Sequence, residues 1–167
     1  ATDSNDGDVT GNHGGYDYWI IKLDGSGTIQ WQKTLGGSGY DVAVSIEQTV
    51  AGGYIIAGYT YSTDGDVTGN HGYYDCWIVK LDDAGAIRWQ RTLGGAGAEI
   101  AGSIEQTADG GYIIEGVASS NNGDVIGNHG AQDFWIVKLA PEGVGVEEVG
   151  TVAFSISPNP SNGSVRI

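Results

Sequence analysis

Residues 6–24 read DGDVTGNHGGYDYWIIKLD, and nearly the same phrase returns as DGDVTGNHGYYDCWIVKLD at 64–82 and NGDVIGNHGAQDFWIVKLA at 122–140. Gly7, Gly65 and Gly123 fall 58 residues apart, as do His13, His71 and His129. A fixed interval of this size marks a repeat architecture, in which each unit buries its apolar faces against its neighbours. The units run 7–64 and 65–122, with a partial third at 123–140.

One unit contains four short apolar segments separated by turn residues. The first is Tyr18 to Leu23, closed by Asp24-Gly25-Ser26-Gly27; the second is Ile29 to Leu35, closed by Gly36-Gly37. The third is Val42 to Gln48, and the fourth runs from Tyr54 to Tyr59 after Gly52-Gly53. The second unit restates them around Trp77, around Trp89, at Ile100 to Gln106 and at Tyr112 to Val117. The first and fourth segments are apolar at almost every position, the signature of strands packed on both sides. The second alternates Ile29, Trp31 and Leu35 with Gln30, Gln32 and Thr34, so one side is wet. The third carries small residues, Ala43 and Ser45, then Ala101, Gly102 and Ser103, which suit a place where sheets crowd together. Thirty glycines and few strong helix formers lean the same way. The expectation is an all-β fold of β-propeller-like, four-stranded blades in tandem. A β-sandwich has no reason to repeat at this interval, and a β-solenoid coil is normally shorter.

Leu23-Asp24-Gly25-Ser26-Gly27-Thr28-Ile29-Gln30-Trp31 and Leu81-Asp82-Asp83-Ala84-Gly85-Ala86-Ile87-Arg88-Trp89 resemble the Asp…Gly…Trp docking motif of quinoprotein-type propellers, with the Asp-to-Gly spacing one residue shorter. The resemblance implies a tight turn joining two outer strands, a Trp packed on the adjacent blade, and a blade frame running from Val42 to Leu93. Trp19, Trp31, Trp77, Trp89 and Trp135 are the expected repeat-packing residues. Nine strands make a little over two blades and cannot close a ring, so either further blades or further copies are expected to complete it.

The 167 residues carry 7 Lys+Arg against 21 Asp+Glu, a formal net charge of −14. That balance argues against nucleic acid or an anionic membrane as partner, since both demand a basic footprint. No apolar run reaches the roughly 18–20 residues of a membrane span. Cys76 is the single cysteine and corresponds to Tyr18 and Phe134, so it reads as a small buried hydrophobe. The chain opens in mid-repeat, Ala1 aligning with Tyr59, which reads as a piece or a processed form of something longer.

The pattern breaks after Ala140. Residues 141–153 form an acidic linker, and residues 154–167 read as a strand, a turn and the start of another strand. Pro158-Asn159-Pro160 with Gly163 resembles the opening of the C-terminal sorting domain of type IX secretion substrates, a small β-sandwich. That resemblance implies contact with the secretion machinery, export across the outer membrane, and a secreted or cell-surface location.

Three readings compete for the repeated loop. Asp, Asn and Gly supply turn conformations, and their side-chain oxygens cap backbone N–H groups. Alternatively Asp6, Asp8 and Asp17, or Asp64, Asp66 and Asp75, with Asp124 and Asp133 in the third copy, offer the hard oxygens that Ca²⁺ accepts. A transition-metal or catalytic site on His13, His71 and His129 is the third, disfavoured because no second His or Cys lies near each one. Catalytic sites join unlike groups, whereas nearly every polar residue here recurs with the repeat and the departures look scattered. The expectation is therefore a non-enzyme. It would be a structural or adhesive surface protein that self-associates into a ring or filament. The alternative is a module that binds a glycan or surface polymer through exposed Tyr16, Tyr40, Tyr59, Tyr61, Tyr73 and Tyr74.

Overall fold

A computed structural model describes residues 1–141; most of the linker and the sorting segment with Pro158, Asn159, Pro160 and Gly163 lie outside the described residues. The described residues hold nine strands and no helix, so none that could cross a membrane. They are β1 (Tyr18–Leu23), β2 (Ile29–Leu35), β3 (Asp41–Gln48), β4 (Tyr54–Thr60), β5 (Asp75–Leu81), β6 (Ile87–Leu93), β7 (Glu99–Gln106), β8 (Tyr112–Ala118) and β9 (Asp133–Leu139). All pairings between these strands are antiparallel. They form three sheets, β1-β2, β3-β4-β5-β6 and β7-β8-β9. The four-stranded sheet therefore takes two strands from one repeat and two from the next.

Each strand starts and stops where the turn chemistry requires. Asp24 Oδ1 accepts the N–H of Ser26 at 2.8 Å and of Thr28 at 2.9 Å, closing the β1–β2 turn; Asp82 Oδ1 does the same for Ala84 and Ala86. Gly27 and Gly85 complete these turns at φ of 85° and 79°. The small residues of β3 and β7 mark a defined irregularity. The register with β4 shifts between Ala43 and Ser45, and that of β7 with β8 between Ala101 and Ser103. These are β-bulges, which leave the intervening residue unpaired and bend the strand.

The core alternates with a period of two along the central strands. On β4 and β5, Ile55, Ala57, Cys76 and Ile78 face the third sheet, where they meet Ala101, Ile104, Tyr112, Ile114, Trp135 and Val137. Ile56, Trp77, Val79 and Leu81 face the first sheet and meet Tyr18, Ile20 and Leu35. Every residue of β5 is buried for this reason. Full burial of each large aliphatic side chain contributes about 1.5–3 kcal/mol, so these two clusters dominate the stability. Cys76 sits fully inside, and desolvation pushes its thiol pKa up to about 12.

The wet side of β2 is wider than the alternation predicts, because Ile29 is itself exposed. Its counterpart Ile87 packs into the cluster between the first and second sheets. Among the described residues no sheet covers Ile29, and the difference is one of position in the stack.

Candidate functional site

The repeated loop lies between the fourth strand of one unit and the first of the next, and it is a pair of clasps. In the middle copy, Asp64 Oδ1 accepts the Ser38 N–H at 2.8 Å and Asp66 Oδ2 accepts the Gly36 N–H at 3.2 Å. The Asp66 N–H returns a bond to the Gly36 carbonyl at 2.9 Å. The loop thus grips the Gly36-Gly37 turn that leads from the first sheet into the second. In the third copy, Asn122 and Asp124 grip Gly94 and Ala96 with the same three bonds, at 2.9, 3.1 and 2.9 Å. Asn replaces Asp at 122 without loss because the bond needs only an acceptor oxygen. Gly65 and Gly123 both sit at φ of 65°, and a Cβ at either would fall inside van der Waals contact with the gripped carbonyl oxygen. Gly7 has φ of 61° with nothing near it, because the described residues contain no turn for the first copy to grip.

The second clasp is the His-Asp pair. Asp75 Oδ2 accepts the His71 backbone N–H at 2.9 Å and faces His71 Nδ1 at 2.8 Å; Asp17 with His13 and Asp133 with His129 repeat it. Asn70 Nδ2 donates to the Thr60 carbonyl at 3.2 Å, pinning the loop to β4.

The eight aspartates expected as calcium ligands are consequently spread over separate partners. Asp64, Asp66 and Asp124 bind turn amides, and Asp17, Asp75 and Asp133 bind their histidines. Asp6 accepts the Ser4 hydroxyl at 2.6 Å, and Asp8 is exposed. Among the described residues no group of three or more His, Cys, Asp or Glu side chains is placed to hold a metal ion.

Beneath the clasps lie two buried acid pairs. Asp17 and Asp41 flank Gly36, and Asp75 and Glu99 flank Gly94. Asp41 Oδ2 accepts the Gly37 N–H at 2.8 Å and the Ser62 hydroxyl at 2.7 Å, while Thr60 Oγ1 donates to its other oxygen. In the next unit Thr60 becomes Ala118 and Asp41 becomes Glu99. The longer acid reaches the Ser120 N–H at 2.9 Å instead, so the two substitutions compensate. Burial raises the pKa of Asp41 and of Asp75 above the ordinary carboxylate value, each with its acidic neighbour adding to the shift. Asp17 Oδ1 and Asp75 Oδ1 are buried without a hydrogen-bond partner.

The tryptophans divide by role. Trp31 leaves the first sheet to lie over Gly85 of the second, donates from Nε1 to the Asp83 carbonyl at 3.0 Å, and meets the Tyr54 ring edge-on at 5.8 Å. Trp89 meets Tyr112 of the third sheet in the same way at 6.1 Å. Trp19 and Trp77 donate to Gln32 and Gln90 of the neighbouring strand at 2.9 and 2.8 Å, and Trp135 is buried between the second and third sheets.

One feature of this end of the sheets does not recur. Tyr16, Tyr40, Tyr59, Tyr61, Tyr73 and Tyr74 come together from four separate segments. Tyr16 and Tyr40 lie 5.7 Å apart at 34°, Tyr59 and Tyr74 5.2 Å apart edge-on, and Tyr61 and Tyr73 5.3 Å apart edge-on. Tyr73 and Tyr74 join the last two pairs at 4.4 Å. Between them a cleft of about 380 Å³ is lined by Ala1, Tyr16, Tyr40, Val42, Tyr59 and Tyr74. Four of the rings remain well exposed: Tyr16 43%, Tyr40 49%, Tyr61 46% and Tyr73 54%.

No protein-family model matches the chain, and no curated protein matches it in sequence.

In the following unit the tyrosine positions 40, 59, 61, 73 and 74 hold Ala98, Val117, Ser119, Ala131 and Gln132. Five of the departures from the repeat that look scattered along the chain are gathered here in space. Spacing alone could not place them together, but comparing the units position by position singles out all five.

Proposed function

We propose that this is a non-enzymatic, extracellular repeat protein of structural or adhesive type, whose sheets are β-propeller-type blades and whose copies associate head to tail. The observation that carries this reading is the equivalence of buried and uncovered faces. Cys76 and Ile78 of the second sheet are covered by the third, and their counterparts Phe134 and Ile136 on the third sheet have no sheet over them among the described residues; Phe134 is 55% exposed. Trp77 and Val79 are covered by the first sheet, and their counterparts Trp19 and Ile21 on the first sheet are only partly buried. One end of the stack therefore carries the type of face that the other end is built to receive.

An interface of this kind is heterologous, and it closes into a ring or continues as a filament according to the rotation between copies. The type IX-like segment at 154–167 supports export and surface display. The recurrence of each His-Asp pair with its loop supports a holding role over a catalytic one.

Sedimentation velocity of the 167-residue chain over a range of concentrations tests the reading. The expected result is a mass that rises in steps or without limit, and that returns to one copy in Phe134→Asp. A single-copy mass at every concentration overturns it.

A further inference from the structure

We propose that the tyrosine cleft is a binding site for a neutral polysaccharide, engaged through the flat apolar faces of its pyranose rings. This goes beyond the assembly reading and does not rest on it. The junction of the second and third sheets occupies the same place in the fold with Ala98, Val117 and Ser119 in place of tyrosines, and it holds the same backbone bonds: Asp41 N–H to the Tyr16 carbonyl at 2.5 Å, and Glu99 N–H to the Tyr74 carbonyl at 2.6 Å. The fold does not need the aromatic cluster, yet one junction carries it with four rings exposed.

The chemistry of the cleft selects the ligand. A tyrosine presents an apolar ring face and a hydroxyl at its tip, which matches a sugar's patch of C–H bonds bordered by hydroxyls. The cleft's volume falls within the range of about 300–1,000 Å³ common to ligand sites. Tyrosine hydroxyls, with an ordinary pKa of about 10, are protonated near neutral pH and so serve as hydrogen-bond donors at the ring tips. No Lys or Arg side chain lines the cleft, and Tyr16, Tyr40 and Tyr74 are each followed directly by a buried acid, Asp17, Asp41 and Asp75. With the whole chain at −14, an anionic glycan meets repulsion. The strip from Tyr16 and Tyr40 through Tyr59 and Tyr74 to Tyr61 and Tyr73 spans several contacts, which suits a chain of sugars better than a single one.

Affinity electrophoresis of the full chain through gels containing laminarin, hydroxyethyl cellulose, xylan or galactomannan, with heparin as the anionic comparison, provides the test. The expected result is retardation by at least one neutral polymer and none by heparin. Tyr40→Ala and Tyr73→Ala, both at exposed rings, weaken that retardation at least tenfold, and Tyr40→Phe weakens it less than threefold because the stacking face remains. Circular dichroism melting of each variant separates lost binding from lost folding; a variant that fails to fold is replaced by Tyr61→Ala, which carries the same expectation. Retardation by none of the neutral polymers, by heparin alone, or undiminished in the folded variants overturns the proposal. None of these outcomes depends on whether copies associate.

Discussion

Replacing Gly65 by Ala tests the clasp against its own internal control, Gly7→Ala. Both glycines are the middle residue of the same DGD phrase and sit at φ of 65° and 61°. An L-residue in this left-handed region costs roughly 1–2 kcal/mol, offset by up to about 1 kcal/mol because the unfolded chain loses freedom. Gly7→Ala therefore destabilises by about 1 kcal/mol or less. At Gly65 the new Cβ also overlaps the Gly36 carbonyl oxygen and lies 2.9 Å from Gly37 Cα. Backbone occupies both positions, so the loop must lift off. Lifting it breaks the bonds from Gly36, Ser38 and Asp66. Three bonds at about 1 kcal/mol each bring the total to roughly 3–5 kcal/mol. For a domain of this size that is a fall in Tm of about 9–15 °C, against about 3 °C for Gly7→Ala. Differential scanning calorimetry reads both. Equal shifts for the two variants would refute the clasp as a source of stability.

Trp31→Ala removes the ring from Gly85 and Tyr54 and the bond to Asp83, and should lower the urea unfolding free energy by about 2–3 kcal/mol, toward the low side of aromatic truncations because the ring is half-buried. The Cys76 thiol, pushed up to about 12 by burial, should stay unreactive toward a disulfide reagent near about pH 8 in the native protein and react fully in denaturant. The pH dependence should have a maximum on the acid side of neutrality. Asp41 and Asp75 have raised pKa values in the folded state, so folding takes up protons and stability rises as pH falls from neutral through those values toward about 4, the ordinary carboxylate value. Asp24, Asp64, Asp82 and Asp109 are lowered, and the stability they supply is present above about pH 4 and lost as pH falls below it through their folded values. Urea midpoints across this range should rise and then fall, and Asp75→Asn should flatten the rise.

The strand limits were legible because turn chemistry sets them. Asp24, Gly27, Gly36 and Gly52 punctuate the first unit, and the observed strands differ from the sequence reading by a residue at the ends of β3 and β4. The two-sided burial of β4 and β5 was also legible, since Ile55, Ile56, Trp77 and Ile78 leave no polar face. The reach of the loop was not. Asp64 and Asp66 bond to residues 26 and 30 positions earlier, and no local pattern distinguishes an oxygen aimed at such a turn from one available to a cation. The tyrosine cluster was hidden for the same reason: each ring was visible as an exposed aromatic, and only the antiparallel return of β4 and the crossing into β3 bring Tyr59 and Tyr40 to one place.

Native-state hydrogen exchange at the gripped amides tests most directly whether the repeated loop joins one sheet to the next. The amides of Gly36, Ser38, Gly94 and Ala96, each donating to an Asp or Asn of the repeated loop that follows it, are predicted to be protected to within a factor of about ten of the β4 and β5 amides, because they open only when the sheets separate. Their protection should be the same in calcium and in a chelator. Exchange at the rate of a free loop, or protection that appears only when calcium is added, would contradict the account.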